Sequence, residues 1–162
     1  MRILIFSTEF PPGPGGIGTH AYQTAIYLIK YGWDIQVLTN QDYAESSEIH
    51  NFNTSQKFKI YNQSRHKFQI FNLIYRIVAL FRIVNKFKPE IILSTGDRAV
   101  FLNAFFSVVN STPWVAVRHG GTPYSKTLYW LTRWSYQRAN LVIFVSQYTR
   151  RAFEFLKIKP HQ

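Results

Sequence analysis

Two stretches of this sequence carry residue types at spacings that could do chemistry. The first is Gly13-Pro-Gly15-Gly-Ile-Gly18, which follows Phe10-Pro-Pro12 and precedes a helix-like run. Glycines let bare main chain approach a ligand closely, and N–H groups at a helix start favour an anion such as a phosphate. The same letters satisfy G-x-G-x-x-G, the dinucleotide fingerprint. Two features count against a nicotinamide dinucleotide. Thr8 to Pro12 separate the preceding apolar run from the first glycine, where an immediate tight turn is needed, and Thr39-Asn40 stand where a ribose-binding carboxylate is needed. A turn with no ligand is the plain alternative, although four glycines in six residues exceed what a turn requires.

The second stretch is Arg118-His119-Gly120-Gly121, directly after the apolar Trp114-Val-Ala-Val117. A loop histidine is most often just a satisfied polar residue. One at a strand end, beside a cation and two glycines, stands where parallel sheets bind ligands. His20, His50, His66 and His161 have no such setting in the sequence, and no H-x-x-x-H or carboxylate cluster suggests zinc, so no metal is expected. Glu9, Asp97 and Asp42 are the carboxylates at other strand ends. Glu9 or Asp97 could orient an acceptor hydroxyl, with a solvated or capping role as the alternative. Ser146, with no base paired to it, reads as a helix cap and not as a nucleophile.

Both stretches need a scaffold that gathers strand ends. Ile3 to Phe6 is an unbroken apolar run, as in a parallel strand covered on both faces. Ile17, Ala21, Leu28 and Tyr31 recur at helical spacing, Gly32 stops that helix, and Ile35 to Leu38 begin a new strand. Asn40 to Gln56 is polar and reads as a loop or short irregular excursion. Lys57 to Tyr61 alternates like a strand. Phe68 to Phe87 is the longest helix candidate, its polar stripe of Asn72, Arg76, Arg82 and Lys86 so narrow that most of its circumference needs cover, and Lys88-Pro89 ends it. Then follow a strand at Glu90–Ser94, a helix at Ala99–Val109, a strand at Trp114–Val117, a helix from Thr122-Pro123 to about Arg138, a strand at Leu141–Val145, and a helix capped by Ser146 and running to about Leu156. Six strands alternating with helices imply an α/β fold, a Rossmann-like three-layer sandwich with a mostly parallel sheet, in a single domain over residues 1–162.

Composition narrows the function. At 162 residues and 46% hydrophobic content the chain can bury a core. It has no cysteine, hence no disulfide framework and no thiolate metal site. No stretch reaches about 18 uncharged apolar residues, and the expected location is cytoplasmic. Nineteen Lys and Arg against eight Asp and Glu give a net charge of +11, which suits an anionic partner. Lys57 to Lys88 holds eight basic residues, no acid, and interleaved Phe and Tyr. With Tyr124, Tyr129, Trp130 and Trp134 beside Lys126, Arg133 and Arg138, this suggests a face for a membrane surface or a polyprenyl-lipid acceptor, peripheral at the inner membrane, or else an ordinary solvated helix face. Nucleic acid is disfavoured, because the aromatics sit in helix-like runs that a sheet must bury.

The order Phe10-Pro-Pro12, Gly15-Gly16, then Tyr31-Gly32-Trp33-Asp34-Ile35-Gln36-Val37-Leu38-Thr39 resembles the amino-terminal domain of family 4 glycosyltransferases of the GT-B fold. Arg138-Ala139-Asn140-Leu-Val-Ile-Phe-Val-Ser146, followed by Arg150, is similar to that family's penultimate strand and helix, where Asp is commoner than Asn140. The resemblance covers most of the chain and is least from Asn40 to Phe87. It implies one half of a GT-B fold, and transfer of a sugar from a nucleotide-sugar donor to a glycan or lipid-linked acceptor, with retained anomeric configuration and no metal or other cofactor. It implies that Gly15, Gly16 and Ile17 approach the donor diphosphate and that His119 is catalytic beside the donor sugar, while Glu9, Asp97 and Arg118, at the strand ends, are candidates for acceptor binding. In that family the nucleotide is held mostly by a second, carboxyl-terminal domain carrying an Arg/Lys pair and E-x7-E glutamates, none of which can be mapped here. The expectation is therefore an acceptor-side domain with little activity alone. A nicotinamide-binding Rossmann module and a basic membrane or nucleic-acid interaction domain are the alternatives.

Overall fold

The computed structural model describes residues 1–63, 69–120 and 126–154, with the backbone alone for 69–71 and 126–128. In chain order the elements are β1 (Arg2–Ser7), α1 (Gly16–Lys30), β2 (Asp34–Thr39), α2 (Ser46–Ser55), β3 (Lys59–Asn62), α3 (Gln69–Phe87), β4 (Ile91–Thr95), α4 (Asp97–Phe106), β5 (Trp114–Arg118), α5 (Lys126–Gln137), β6 (Leu141–Phe144) and α6 (Gln147–Phe153). The strands form one sheet in the order β3-β2-β1-β4-β5-β6, parallel at every pairing. It is a Rossmann-like α/β sheet whose strand order reverses between β1 and β4, the point at which such sheets bind ligands beyond their carboxyl ends.

Alternation along β1 and β2 divides the interior in two, because successive strand residues point to opposite faces. Ile3, Ile5, Ile35 and Val37 pack with Ala21 and Ala25 of α1 and with Phe10 and Phe58. Leu4, Phe6 and Leu38 share the other face with Leu80 and Phe87 of α3, Val100 and Phe106 of α4, and Trp114. Each fully buried Leu, Ile or Phe contributes about 1.5–3 kcal/mol, which is what holds the three layers together.

Local signals set the element ends. Past α1, Gly32 donates to the Ile29 carbonyl at 2.9 Å and Trp33 to the Leu28 carbonyl at 3.2 Å, a Schellman closure of the last turn. Asn140 closes the start of β5: its Oδ1 accepts from the Trp114 N–H at 3.0 Å, and its own N–H donates to the Trp114 carbonyl at 3.0 Å. That bond uses an oxygen an aspartate would equally supply. Ser146 caps α6 by accepting from the Thr149 N–H at 3.1 Å. Near its start α1 is pressed onto the chain leaving β1, for a Cβ at Gly18 would lie 3.0 Å from the Phe10 nitrogen.

The parallel Rossmann-like sheet is the one the sequence implies. The structure departs from the sequence reading in two places. The polar segment read as a loop contains α2, ten residues long with none buried. It is held by Phe52, which meets the rings of Phe10 and Tyr22 at 6.4 and 5.6 Å, and by Asn53, which exchanges hydrogen bonds of 2.8 and 3.0 Å with Gln41. Two anchoring side chains leave no periodic stripe to read. On α3 the uncovered face carries apolar residues as well as polar ones: Ile74, Val78 and Phe81 are exposed at i, i+4 and i+7, with Tyr75 beside them. The Thr122-Pro123 helix start, Gly121, Tyr124, His66, His161 and the chain beyond residue 154 lie outside the described residues.

Candidate active site at the strand carboxyl ends

The loops after β1, β4 and β5 meet above the reversal in strand order. Gly15 is exposed with φ +139°, a conformation that L side chains rarely adopt, and Gly16 begins α1 with nothing within 4 Å of a would-be Cβ. The first turn of α1 has no side-chain cap and no acidic residue. Its unpaired N–H groups are therefore free to serve a ligand, and their partial positive charge favours an anion. Ile17, the second residue of the helix, is half-buried.

His119 leaves the end of β5 half-buried, and its Nε2 lies 2.7 Å from Oγ1 of Thr95 at the end of β4. The imidazole of His20 stands against it edge to face. His20 is on the second turn of α1, one turn beyond Gly16, so the histidine and the glycine cluster share one side of the molecule. Burial, then the neighbouring His20 and Arg118, pushes the His119 pKa down to about 4, and burial lowers that of His20 as well. Both rings are neutral at physiological pH. A base this weak is a hydrogen-bonding group, not an acceptor of protons, at neutral pH. His20 was passed over in the sequence because it lies within a helix-like run and not at a strand end beside a cation and glycines. The signal that could have found it is its place in the turn after a glycine cluster, on the face that must look along the sheet ends.

Arg118 and Asp97 stand at the ends of β5 and β4 and pair with each other. The guanidinium, 2% exposed, pairs with the Asp97 carboxylate, donates from Nε to the Gly120 carbonyl at 2.9 Å, and lies 4.3 Å over the Phe153 ring. The Tyr136 hydroxyl donates to the same Asp97 oxygen at 3.2 Å, and burial raises its pKa to about 12. A charge taken out of water must be paired, and this one ties the ends of β4 and β5 to α5 and α6. Arg118 is thus enclosed by protein groups, and Asp97, still partly exposed, is engaged by two of them. Glu9 lies against the glycine loop, its Oε2 2.2 Å from where a Cβ on Gly15 would stand. Among the described residues no group of His, Asp and Glu could hold a metal ion, and no helix is long and apolar enough to cross a membrane.

The family described as Glycosyltransferase Family 4 matches residues 14–162. The chain belongs to glycosyltransferase family 4. No curated protein matches it. Among solved structures, Anabaena Alr3699/HepE in complex with UDP is 17% identical with a TM-score of 0.71, over 97% of this chain and 41% of that one. Acinetobacter baumannii MurG is 15% identical with a TM-score of 0.61, over 88% and 40%. UDP-GlcNAc 2-epimerase from Methanocaldococcus jannaschii is 12% identical with a TM-score of 0.70, over 98% and 43%. At these identities the likeness is one of fold, that of GT-B glycosyltransferases, and an epimerase shares it. The family 4 chain spans about two fifths of the length of these structures.

Proposed function

We propose that this chain is the acceptor-side domain of a retaining glycosyltransferase that moves a sugar from a nucleotide-sugar donor to a glycan or lipid-linked acceptor. The observation that carries this is the convergence, in a family 4 chain, of the uncapped Gly15-Gly16 helix start with His119, whose ring is fixed by Thr95 and His20. In the reaction the bond from the anomeric carbon to the diphosphate oxygen breaks and the bond to the acceptor oxygen forms on the same face of the sugar. The hydroxyl proton leaves with the diphosphate. The N–H groups at Gly16 and Ile17 meet the charge that develops on that leaving group, for which one donor in a comparable site is worth about 3 kcal/mol. Neutral His119 holds a sugar hydroxyl, and Glu9 takes a hydroxyl of the acceptor. No metal is needed in this scheme. Assay of the full polypeptide carrying this chain with radiolabelled UDP-glucose, UDP-galactose, UDP-GlcNAc and GDP-mannose tests the reading. His119→Ala is expected to lower transfer about 10²-fold or more. Absence of transfer and of nucleotide binding with every donor would sink it.

The exposed stripe of α3 supports a peripheral membrane contact on the cytoplasmic side. Ile74, Val78 and Phe81 face outward beside the exposed Arg82 and Lys86, a pairing of apolar surface and cations that suits an acidic lipid surface.

A further inference from the structure

Beyond the carboxyl ends of β2 and β3 lies a polar cleft of about 570 Å³, within the range of small-molecule sites. Asp42, Ser46, His50, Asn53 and Asn62 supply its polar groups and Ile49 an apolar contact. Its floor is fixed. Gln41, fully buried, donates from Nε2 to the Pro11 carbonyl at 2.5 Å and pairs with Asn53, while its main-chain N–H donates to Oδ1 of Asn62 at 3.0 Å. One glutamine therefore locks the cleft to the chain entering the glycine loop. Tyr43, 55% exposed, lies against Gly13 of that loop, 3.1 Å from where a Cβ would stand, so cleft and loop are contiguous.

The lining says what kind of ligand fits. Asn40 to Gln56 contains no Lys or Arg, and holds three of the chain's eight acidic residues, Asp42, Glu45 and Glu48, although the protein as a whole carries +11. An anion is disfavoured here, and so is the donor diphosphate. The Ser46 hydroxyl, the His50 imidazole and the Asn62 side-chain NH2 offer donors and acceptors to an uncharged polyol, and the start of α2, which has no side-chain cap, adds main-chain N–H groups. The cleft is also remote from His119. Three strand spacings, about 14 Å, separate β5 from β2, more than one sugar ring spans.

We propose that this cleft is a saccharide subsite for a unit of the acceptor distant from the reacting hydroxyl, so that the acceptor is an oligosaccharide chain and not a single sugar. This rests on the transferase reading above and adds the acceptor's class and length. The test uses the full polypeptide with maltotriose, cellotriose, chitotriose and mannotriose, each beside its monosaccharide, by saturation-transfer NMR and calorimetry, with UDP binding measured in parallel. At least one trisaccharide is expected to bind tenfold or more tightly than its monosaccharide. Ser46→Trp, at an exposed position on the rim, is expected to abolish that advantage and leave UDP affinity unchanged. His50→Ala, also exposed, should weaken the trisaccharide severalfold and serves if the tryptophan variant does not fold. If no trisaccharide outbinds its monosaccharide, or both variants leave the advantage intact, the subsite is overturned. UDP binding with no trisaccharide advantage refutes the cleft alone, and loss of nucleotide binding in the unmodified protein refutes the transferase reading.

Discussion

The imidazoles of His20 and His119 meet edge to face with centroids 4.8 Å apart and planes at 77°, joining the second turn of α1 to the end of β5. This contact, with Thr95 on the Nε2 of His119, fixes the ring from two sides. Burial of the ring, and then the nearness of His20 and Arg118, make its protonation unfavourable.

The folded His119 has its pKa lowered from 6.5 to about 4, so between those values the unfolded chain binds a proton that the folded one refuses. Stability from this group is complete above pH 6.5 and is lost as the pH falls towards 4. Urea midpoints measured from pH 7 to 4.5 should fall more steeply in the wild-type protein than in His119→Asn. Equal slopes, or an NMR titration of His119 at or above 6.5, would refute the buried neutral ring.

Gly15 and Gly16 should respond differently to the same methyl group. Gly15→Ala meets both a positive φ and the Glu9 carboxylate, and is expected to cost about 1–3 kcal/mol. Gly16→Ala enters open space at a helix start and should leave the melting temperature unchanged or slightly raised. In the full polypeptide it should nevertheless lower sugar transfer tenfold or more. Full activity in Gly16→Ala would mean that no ligand approaches there.

Removing the Asp97 carboxylate leaves the Arg118 charge enclosed without its acid. Asp97→Ala is expected to destabilise the fold by about 3 kcal/mol in urea unfolding, and Asp97→Asn by less. A loss below about 1 kcal/mol would show that Gly120 and Phe153 suffice for the guanidinium.

Phe81→Glu should weaken binding to vesicles containing phosphatidylglycerol about tenfold, the loss of one buried aromatic side chain from the lipid contact. Added salt should weaken the wild-type interaction further. Binding indifferent to both changes would place the membrane contact on another face.

The alternation of apolar runs with helical periods made the sheet legible in the sequence, because β1, β2, β4 and β5 are covered on both faces and so cannot be mistaken for surface strands. The glycine cluster and His119 were legible for the same reason, as both interrupt such runs at their carboxyl ends. Other features depended on contacts between distant residues. The helix α2 is held by Phe52 and Asn53 against partners ten or more positions away, and nothing in its own composition announces it. His20 matters through His119, 99 positions later, and Arg118 is removed from the ligand crevice by Asp97 and Phe153 from two other elements. A cation at a strand end looks the same in sequence whether it meets solvent or an internal acid.

The close seat of Gly18 on Phe10 has one further result. A single hydrogen at that position sets how deep the helix sits, and therefore where the imidazole two residues later can reach. Any side chain there would raise the helix as a rigid lever and carry that imidazole away from its counterpart, so the alignment of the two halves of the crevice depends on an atom that is missing.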